Sequence, residues 1–433
     1  MTTTAEVTEG IDPIEPGERE SGSGRTPARR LGATLILVAM GAFAIARFVS
    51  VDTATLASSR PDAPSGTPVG AVASGGAAAN DIASLERRVA RRPDDIAALQ
   101  ALGVAYARGA ANGDPTYNDR SQQAFDRADA IRPGQDATLV GRGLLALSRH
   151  QFGEARELAD RVIENNPDLD AARLVRFDAL VELGHYDEAE TELEVLLRRE
   201  PGLPAFARLS YFRQIHGDLD GAIEAMRQAA TAGESNAADE AEVRSLLGDL
   251  LYLRGDASGA AIEYEQALEL RPDLSGPRLG LARVDVVRGD LDAAVMRLDE
   301  LTAAVPLPAA LSLLGEVHTS LGDTEAADAA FDRTRQAFRA LADGGEVVDL
   351  ELAVFEAEHG DPQLALTLAR RAFDIRRDNV FTADALAWAH HVSGNEGEAT
   401  RYAALARRLG TVERGVLSRS ATLFPNGRTA PPR

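Results

Sequence analysis

Cysteine and lysine are both absent from this chain of 433 residues. Without cysteine there is no thiol nucleophile, no Cys-ligated zinc, no disulfide and no lipid-modified cysteine anchor. The redox compartment stays open, because a cysteine-free chain is at home in either state. Without lysine every permanent side-chain cation is an arginine, a bias that high-GC codon usage explains without any functional demand. Basic charge is in deficit as well: 46 Lys plus Arg against 67 Asp plus Glu leave a formal charge of −21. Such a chain is a poor candidate for wrapping nucleic acid, which needs a basic face. Strand-type runs of Val, Ile, Thr and aromatics are missing. So are the Walker loop, a GxGxxG after a strand, HExxH and GxSxG. The expectation is a protein that is not an enzyme, holds no cofactor or metal and has no evident small-molecule substrate.

The length exceeds one ordinary globular core and predicts several domains or a repeat array. Residues 1–30 are polar, acidic early and arginine-bearing late, and read as a disordered cytoplasmic tail. Then comes "LGATLILVAMGAFAIA", Leu31 to Ala46, sixteen residues without a charge, and counting through Val49 gives nineteen. A bilayer span wants about 20 apolar residues, and Arg47 near its end can snorkel to the interface. Residues 31–49 are therefore expected to be a transmembrane helix. The alternative is a cleaved signal peptide, for which "TATLASS" offers small residues, although the preceding segment is long. A buried core helix is disfavoured because neither flank offers anything to bury it against. Arg25, Arg29 and Arg30 precede the span, so the amino end is expected in the cytoplasm and the rest of the chain outside, or secreted if the signal is cut. Residues 50–79 read as a flexible Ala/Gly/Ser/Pro linker, about 30 Å long as a coil.

The body repeats. Pro133, Pro167 and Pro201 are 34 apart, as are Pro272 and Pro306. Turn glycines recur at Gly184, Gly217, Gly255, Gly289, Gly322, Gly360 and Gly394, with spacings of 33, 38, 34, 33, 38 and 34. An alanine follows each of them five residues later: Ala189, Ala222, Ala260, Ala294, Ala327, Ala365 and Ala399. A left-handed glycine ends one helix, an Asp beside it starts the next, and the alanine lets the two helices lie together. Gly248, Ala260 and Ala267 in "LGDLLYLRGDASGAAIEYEQALELRP" are expected contact points between such helices.

The unit at Leu247-Gly248, Leu251, Gly255, Ala260, Tyr264, Ala267 and Pro272 resembles the tetratricopeptide repeat, a helix–turn–helix of ~34 residues. The unit at Leu102-Gly103, Tyr106, Phe125, Ala128 and Pro133 resembles it too, with "GAANGDPTYNDR" inserted between its helices. Two departures stand out: Asp285 replaces the usual aromatic, and the helix after Phe331 runs on through "RTRQAFRALADGGE". The chain is also similar to a narrower, little-characterised group of such proteins sharing "DPTY", "FARLSYFRQIHGDLDGAIEAM" and "ADALAWA". The resemblance implies an all-α superhelical solenoid of about nine helix pairs over 80–423, with caps at 81–92 and 411–423 and a loose tail at 424–433.

It also implies a protein or peptide partner held in a concave groove lined by the first helix of each pair. With Arg244, Leu247, Gly248 and Leu251 as the packed stripe, the next stripe carries Glu242, Ser245, Asp249 and Tyr252. The same phase elsewhere nominates Asp178, Tyr211, Gln214, Arg283, Glu316, Trp388 and His391. The groove is then partly aromatic and more acidic than basic, suited to a segment with apolar anchors and some positive charge. The two-Lys, two-Asn clamp of repeats that grip acidic carboxyl termini is missing, since Gln214 and Arg283 are poor substitutes. A scaffold or adaptor at the membrane, with envelope assembly as the candidate process, is the expected function. The competing class is a metal-handling or enzyme-associated accessory protein using His390 and His391 with Asp384 on the same helix. His185, His216 and His359 abut turn glycines and read as polar helix ends.

Overall fold

The computed structural model describes residues 78–111, 114–232 and 237–424. The tail at 1–30, the span at 31–49, nearly all of the linker and the last nine residues lie outside them. Among the described residues there are twenty helices and no strand, and no helix is long and apolar enough to cross a membrane.

Helix α1 (Ala78–Arg91) precedes nine helix pairs. The first four pairs are α2 (Ile96–Ala111) with α3 (Thr116–Ile131), α4 (Asp136–Ser148) with α5 (Phe152–Asn165), α6 (Asp170–Leu183) with α7 (Tyr186–Arg199), and α8 (Leu203–Ile215) with α9 (Leu219–Ala232). The next three are α10 (Ala237–Arg254) with α11 (Ala257–Leu270), α12 (Ser275–Arg288) with α13 (Leu291–Ala304), and α14 (Pro308–Leu321) with α15 (Thr324–Asp343). The last two are α16 (Asp349–His359) with α17 (Pro362–Ile375) and α18 (Val380–Val392) with α19 (Glu396–Ala406), after which α20 (Arg414–Leu423) closes the array.

The punctuation works as the sequence suggests, with two exceptions. Gly184, Gly217, Gly255, Gly289, Gly322 and Gly394 are all left-handed. At Gly184 the paired bonds Gly184 N to Val181 O and His185 N to Leu180 O finish α6. Asp218, Asp256, Asp323 and Asp361 cap the following helices through their carboxylates. Gly360 is the first exception: its φ is −146°, and the Glu356 carboxylate accepts from Asp361 N instead. The second is His150, which takes the left-handed place with φ 57° and closes the same paired bonds at the end of α4. Of the insertion at 109–120, residues 109–111 and 116–120 are helical and lengthen α2 and α3. Tyr117 explains this, because it stacks on Tyr106 at 5.4 Å and holds the start of α3 against α2.

The small residues make room for rings as well as for backbones. The seven alanines that follow the turn glycines are all buried. A Cβ on Gly248 would meet the Tyr264 ring at 2.5 Å, and one on Gly280 of the next pair would collide with the same ring. Tyr264 is therefore clamped between two glycines, with its hydroxyl donating to Asp249 at 2.7 Å. Phe125 lies between Gly103 and Gly141 in the same way. Arg244 does not pack as an apolar stripe residue: it is half-exposed and ties α10 to α11 through Glu263 at 3.1 Å.

The array coils back onto itself. His150 Nδ1 donates to the Val347 carbonyl at 3.1 Å, and Val347 N donates to the Arg149 carbonyl at 2.9 Å. Arg376 pairs with Glu182 at 3.3 Å, Asn379 Nδ2 donates to the Glu182 carbonyl at 3.0 Å, and Val380 N donates to the Tyr186 hydroxyl at 3.1 Å. Gln214 Nε2 donates to Glu413 at 2.5 Å. The partners are 194 to 199 residues apart, about six repeats of ~34 residues. The helix-pair turns of the second to fourth units thus rest on the joins between units about six repeats later. One continuous apolar core runs from Val104 to Val416.

Candidate functional site

Several of the residues expected to line a groove from the first helix of each pair are covered by the chain itself. Asp178 on α6 is buried and accepts from Arg208 at 2.5 Å. Burial pushes its carboxyl up to about 6, against the pull of that guanidinium. Tyr211 on α8 is 3% exposed and donates to Glu182 at 3.1 Å. Burial, then the Glu182 charge, holds its hydroxyl well above the usual tyrosine range. Tyr252 on α10 is 2% exposed and lies under the Arg414 guanidinium, 4.4 Å from the ring centroid. Arg283 on α12 is 3% exposed, and its Nε has no hydrogen-bond partner among the described residues. Asp178, Tyr211, Tyr252 and Arg283 are therefore buried and offer no open surface. The expectation of an open groove at these four positions is corrected, because the later units and α20 fill it.

The other nominated residues, Ser245 excepted, remain partly accessible. Gln214 is held by Glu413. Glu242 is half-buried on α10, where its charge helps hold the nearby Arg271 protonated, behind the larger effect of Asp273. Asp249 receives the Tyr264 hydroxyl. Glu316 on α14 lies 3.3 Å from His359 Nε2. Trp388 on α18 is stacked on His391 at 4.9 Å, and His391 Nδ1 lies 2.9 Å from Glu396. Ser245 is buried beside Gly276. The structure gathers these residues into separate neighbourhoods. Gln214, Asp249, Tyr252 and Arg283 surround the Glu413–Arg414 step; Glu316 meets His359; Trp388 pairs with His391.

The metal reading of His390, His391 and Asp384 is corrected. Asp384 is buried and taken by Arg419, whose Nε donates to it at 2.8 Å. His390 is buried, stacks nearly parallel on Tyr402 at 5.7 Å, and is pushed below the ordinary imidazole range first by desolvation. The three side chains thus serve three different neighbours. Among the described residues the one gathering of three ligand-type groups is Glu316, Glu358 and His359, with donor atoms within 4.8 Å of one another. Glu358 there already accepts from Arg419 at 3.0 Å, so a cation would compete with a guanidinium.

Helical phase alone missed several residues that matter. Glu182 and Glu358 lie one position beyond the chosen stripe, at the last turn of their helices, where the array folds over them. His150 falls 34 residues before Gly184, so extending the period backward would have found it. Glu413, Arg414 and Arg419 sit in the segment read only as a cap, and their two arginines in an acidic chain were the available signal.

Residues 146–210, 216–275 and 279–342 match tetratricopeptide repeat families, and this part of the chain carries such repeats. The chain is similar to the cellulose synthase operon protein C of Pseudomonas fluorescens (strain SBW25), 25% identical over 297 residues. That match covers 66% of this chain but 23% of the relative, so the chain spans less than a quarter of that protein's length. Among solved structures it is similar to the crystal structure of the APC/C hetero-tetramer Cut9-Hcn1, with a TM-score of 0.44 at 13% identity, covering 76% of this chain and 63% of that one.

Proposed function

We propose that this tetratricopeptide-repeat chain is a non-catalytic scaffold that binds a protein or peptide partner along its first helices. Residues 31–49 would tether it, with the repeats on the outer side of the cytoplasmic membrane. The observation that carries the binding reading is that the wall of first helices already receives a helical segment, α20, through charged and aromatic side chains. An amphipathic helix laid in a groove is a common mode of recognition between proteins. Support for the tether is the nineteen-residue run ending at Val49 with arginines before it. The similarity to a protein named for a cellulose synthase operon supports searching among envelope-assembly proteins.

The binding test is site-specific photo-cross-linking in cells, with the probe at Trp388, His391 or Glu316 on the partly open lining, and at Met296, which is 68% exposed on a second helix. A shared adduct from the lining positions and none from Met296 is the expected outcome; adducts from Met296 alone would place binding on the other face. For the tether, a carboxyl-terminal reporter active only outside the cytoplasm should be active and sediment with membranes. A cytosolic signal sinks that part, and a soluble mature form beginning near Ser58 favours the cleaved signal.

A further inference from the structure

The segment that fills the groove is an uneasy occupant. Glu413, just before α20, is buried and accepts from Gln214 at 2.5 Å while facing the charges of Asp249 and Arg283. Arg414 lies over the Tyr252 ring and donates to the Tyr252 carbonyl at 2.5 Å. Arg419 is buried between Asp384 and Glu358, at 2.8 and 3.0 Å. Val416 is buried, whereas Leu417 is 42% exposed. The segment is therefore held mostly by buried charge, which is costly to desolvate. It also leaves the Tyr252 hydroxyl, Arg283 Nε and Ser420 Oγ buried with no hydrogen-bond partner among the described residues. An unmet buried polar group costs roughly 1–3 kcal/mol. A helix of ten residues is too short to persist alone, so α20 is helical only while seated.

We propose that α20 with Glu413 is a displaceable, self-supplied occupant of the groove, and that the groove's external partner is a helical segment presenting a carboxylate followed by two arginines in the spacing of Glu413, Arg414 and Arg419. This rests on the scaffold reading and specifies its ligand. A competing segment keeps the Tyr252, Asp384 and Glu358 contacts and gains by supplying acceptors to Arg283 and Tyr252. The tethered α20 has the advantage of high local concentration, so the free groove should bind an untethered copy only when that tether contact is weakened.

The probe is a labelled synthetic peptide of residues 411–424, TVERGVLSRSATLF. It is titrated against the full chain and against the full chain carrying Arg414→Ala with Arg419→Ala. The double variant should bind the peptide at least ~10-fold more tightly than the unchanged chain, and a peptide lacking both arginines should bind neither. A double variant that unfolds cooperatively yet ignores the peptide overturns the proposal, as does binding indifferent to the arginines. Should the double variant not fold, hydrogen exchange on the unchanged chain decides. Amides of α20 should exchange at least ~10-fold faster than those of α18, and equal protection would make α20 a fixed part of the core. Peptide capture without any cellular adduct would leave this groove assignment standing and remove the scaffold; adducts without peptide capture would do the reverse.

Discussion

Gly184 and Gly289 end equivalent helices with nearly the same backbone, φ 85° and 84°. Their surroundings differ completely. A Cβ on Gly184 would land inside the Asp378–Asn379 peptide, whereas one on Gly289 would meet nothing within 4 Å among the described residues. Gly217 is like Gly184, pressed against the Gly410 carbonyl, while Gly255, Gly322 and Gly394 are open like Gly289. One local rule thus serves two environments. The edge of the second to fourth units is covered by chain about six repeats later; among the described residues nothing covers the edge of the fifth to seventh, and Val287 and Leu321 are 49% and 47% exposed there. A repeat position's tolerance is set by its neighbour across the coil as much as by its place in the unit.

The sharpest way to break this contrast is alanine at both glycines. At Gly289 the cost is left-handed strain, about 1–2 kcal/mol. At Gly184 the same strain adds to a backbone collision, which brings the expected cost to roughly 3–5 kcal/mol. Urea midpoints report both, and the Gly184→Ala chain should also lose amide protection at Val380, whose N–H bond to the Tyr186 hydroxyl depends on close approach. Equal midpoints would mean that the coil does not close in solution as described.

This explains how much of the molecule was legible beforehand. Period and turn glycines are local, so the nine pairs follow from residues such as Gly255 and Ala260. Helical phase put Asp178, Tyr211, Tyr252 and Arg283 on one expected face but could not tell that all four would be buried. Closure was not legible, because it depends on small rotations summed over about six repeats. No single residue records that sum. The result turned Tyr211 and Tyr252 from expected docking side chains into buried ones, and set the segment expected as a cap against Tyr252, Asp384 and Glu358.

The second contrast is electrostatic. Burial pushes Glu346, Glu358 and Glu413, all at the closure, up to about 7 from 4.5. On the open side Asp273 is lowered below 3.8, chiefly by its hydrogen bond from Arg271. A raised carboxyl contributes its stabilisation fully below its unfolded value of 4.5 and loses it as pH rises through about 7. The lowered Asp273 acts oppositely, losing its contribution only as pH falls below 3.8. Between pH 5 and 8 the closure groups therefore decide, and stability should fall with rising pH by on the order of 1–3 kcal/mol. Glu413→Gln removes one ionisation and should flatten part of that slope. A urea midpoint that is constant or rises from pH 5 to pH 8 would show that these carboxyls are not buried together in the folded chain.

The smallest expected effect sharpens the comparison most. His150 holds the left-handed place without being glycine, at a cost of roughly 1–3 kcal/mol. It recovers that cost partly across the coil, where its Nδ1 donates to the Val347 carbonyl, and partly locally, where its ring stacks on Phe152 at 5.5 Å. Such a hydrogen bond and ring pair contribute about 0.5–1.5 kcal/mol each. His150→Gly relieves the strain but forfeits both contacts and adds backbone freedom to the unfolded chain, so the net change should stay within about 1 kcal/mol. His150→Ala keeps the strain and loses the contacts, and should cost about 1–3 kcal/mol. Gly322→His, at an open turn, imports the strain with no partner across the coil and should resemble His150→Ala in size rather than being neutral. If His150→Gly instead stabilises the chain by more than about 2 kcal/mol, the contacts to Val347 and Phe152 contribute little, and the left-handed histidine is strain that closure does not offset.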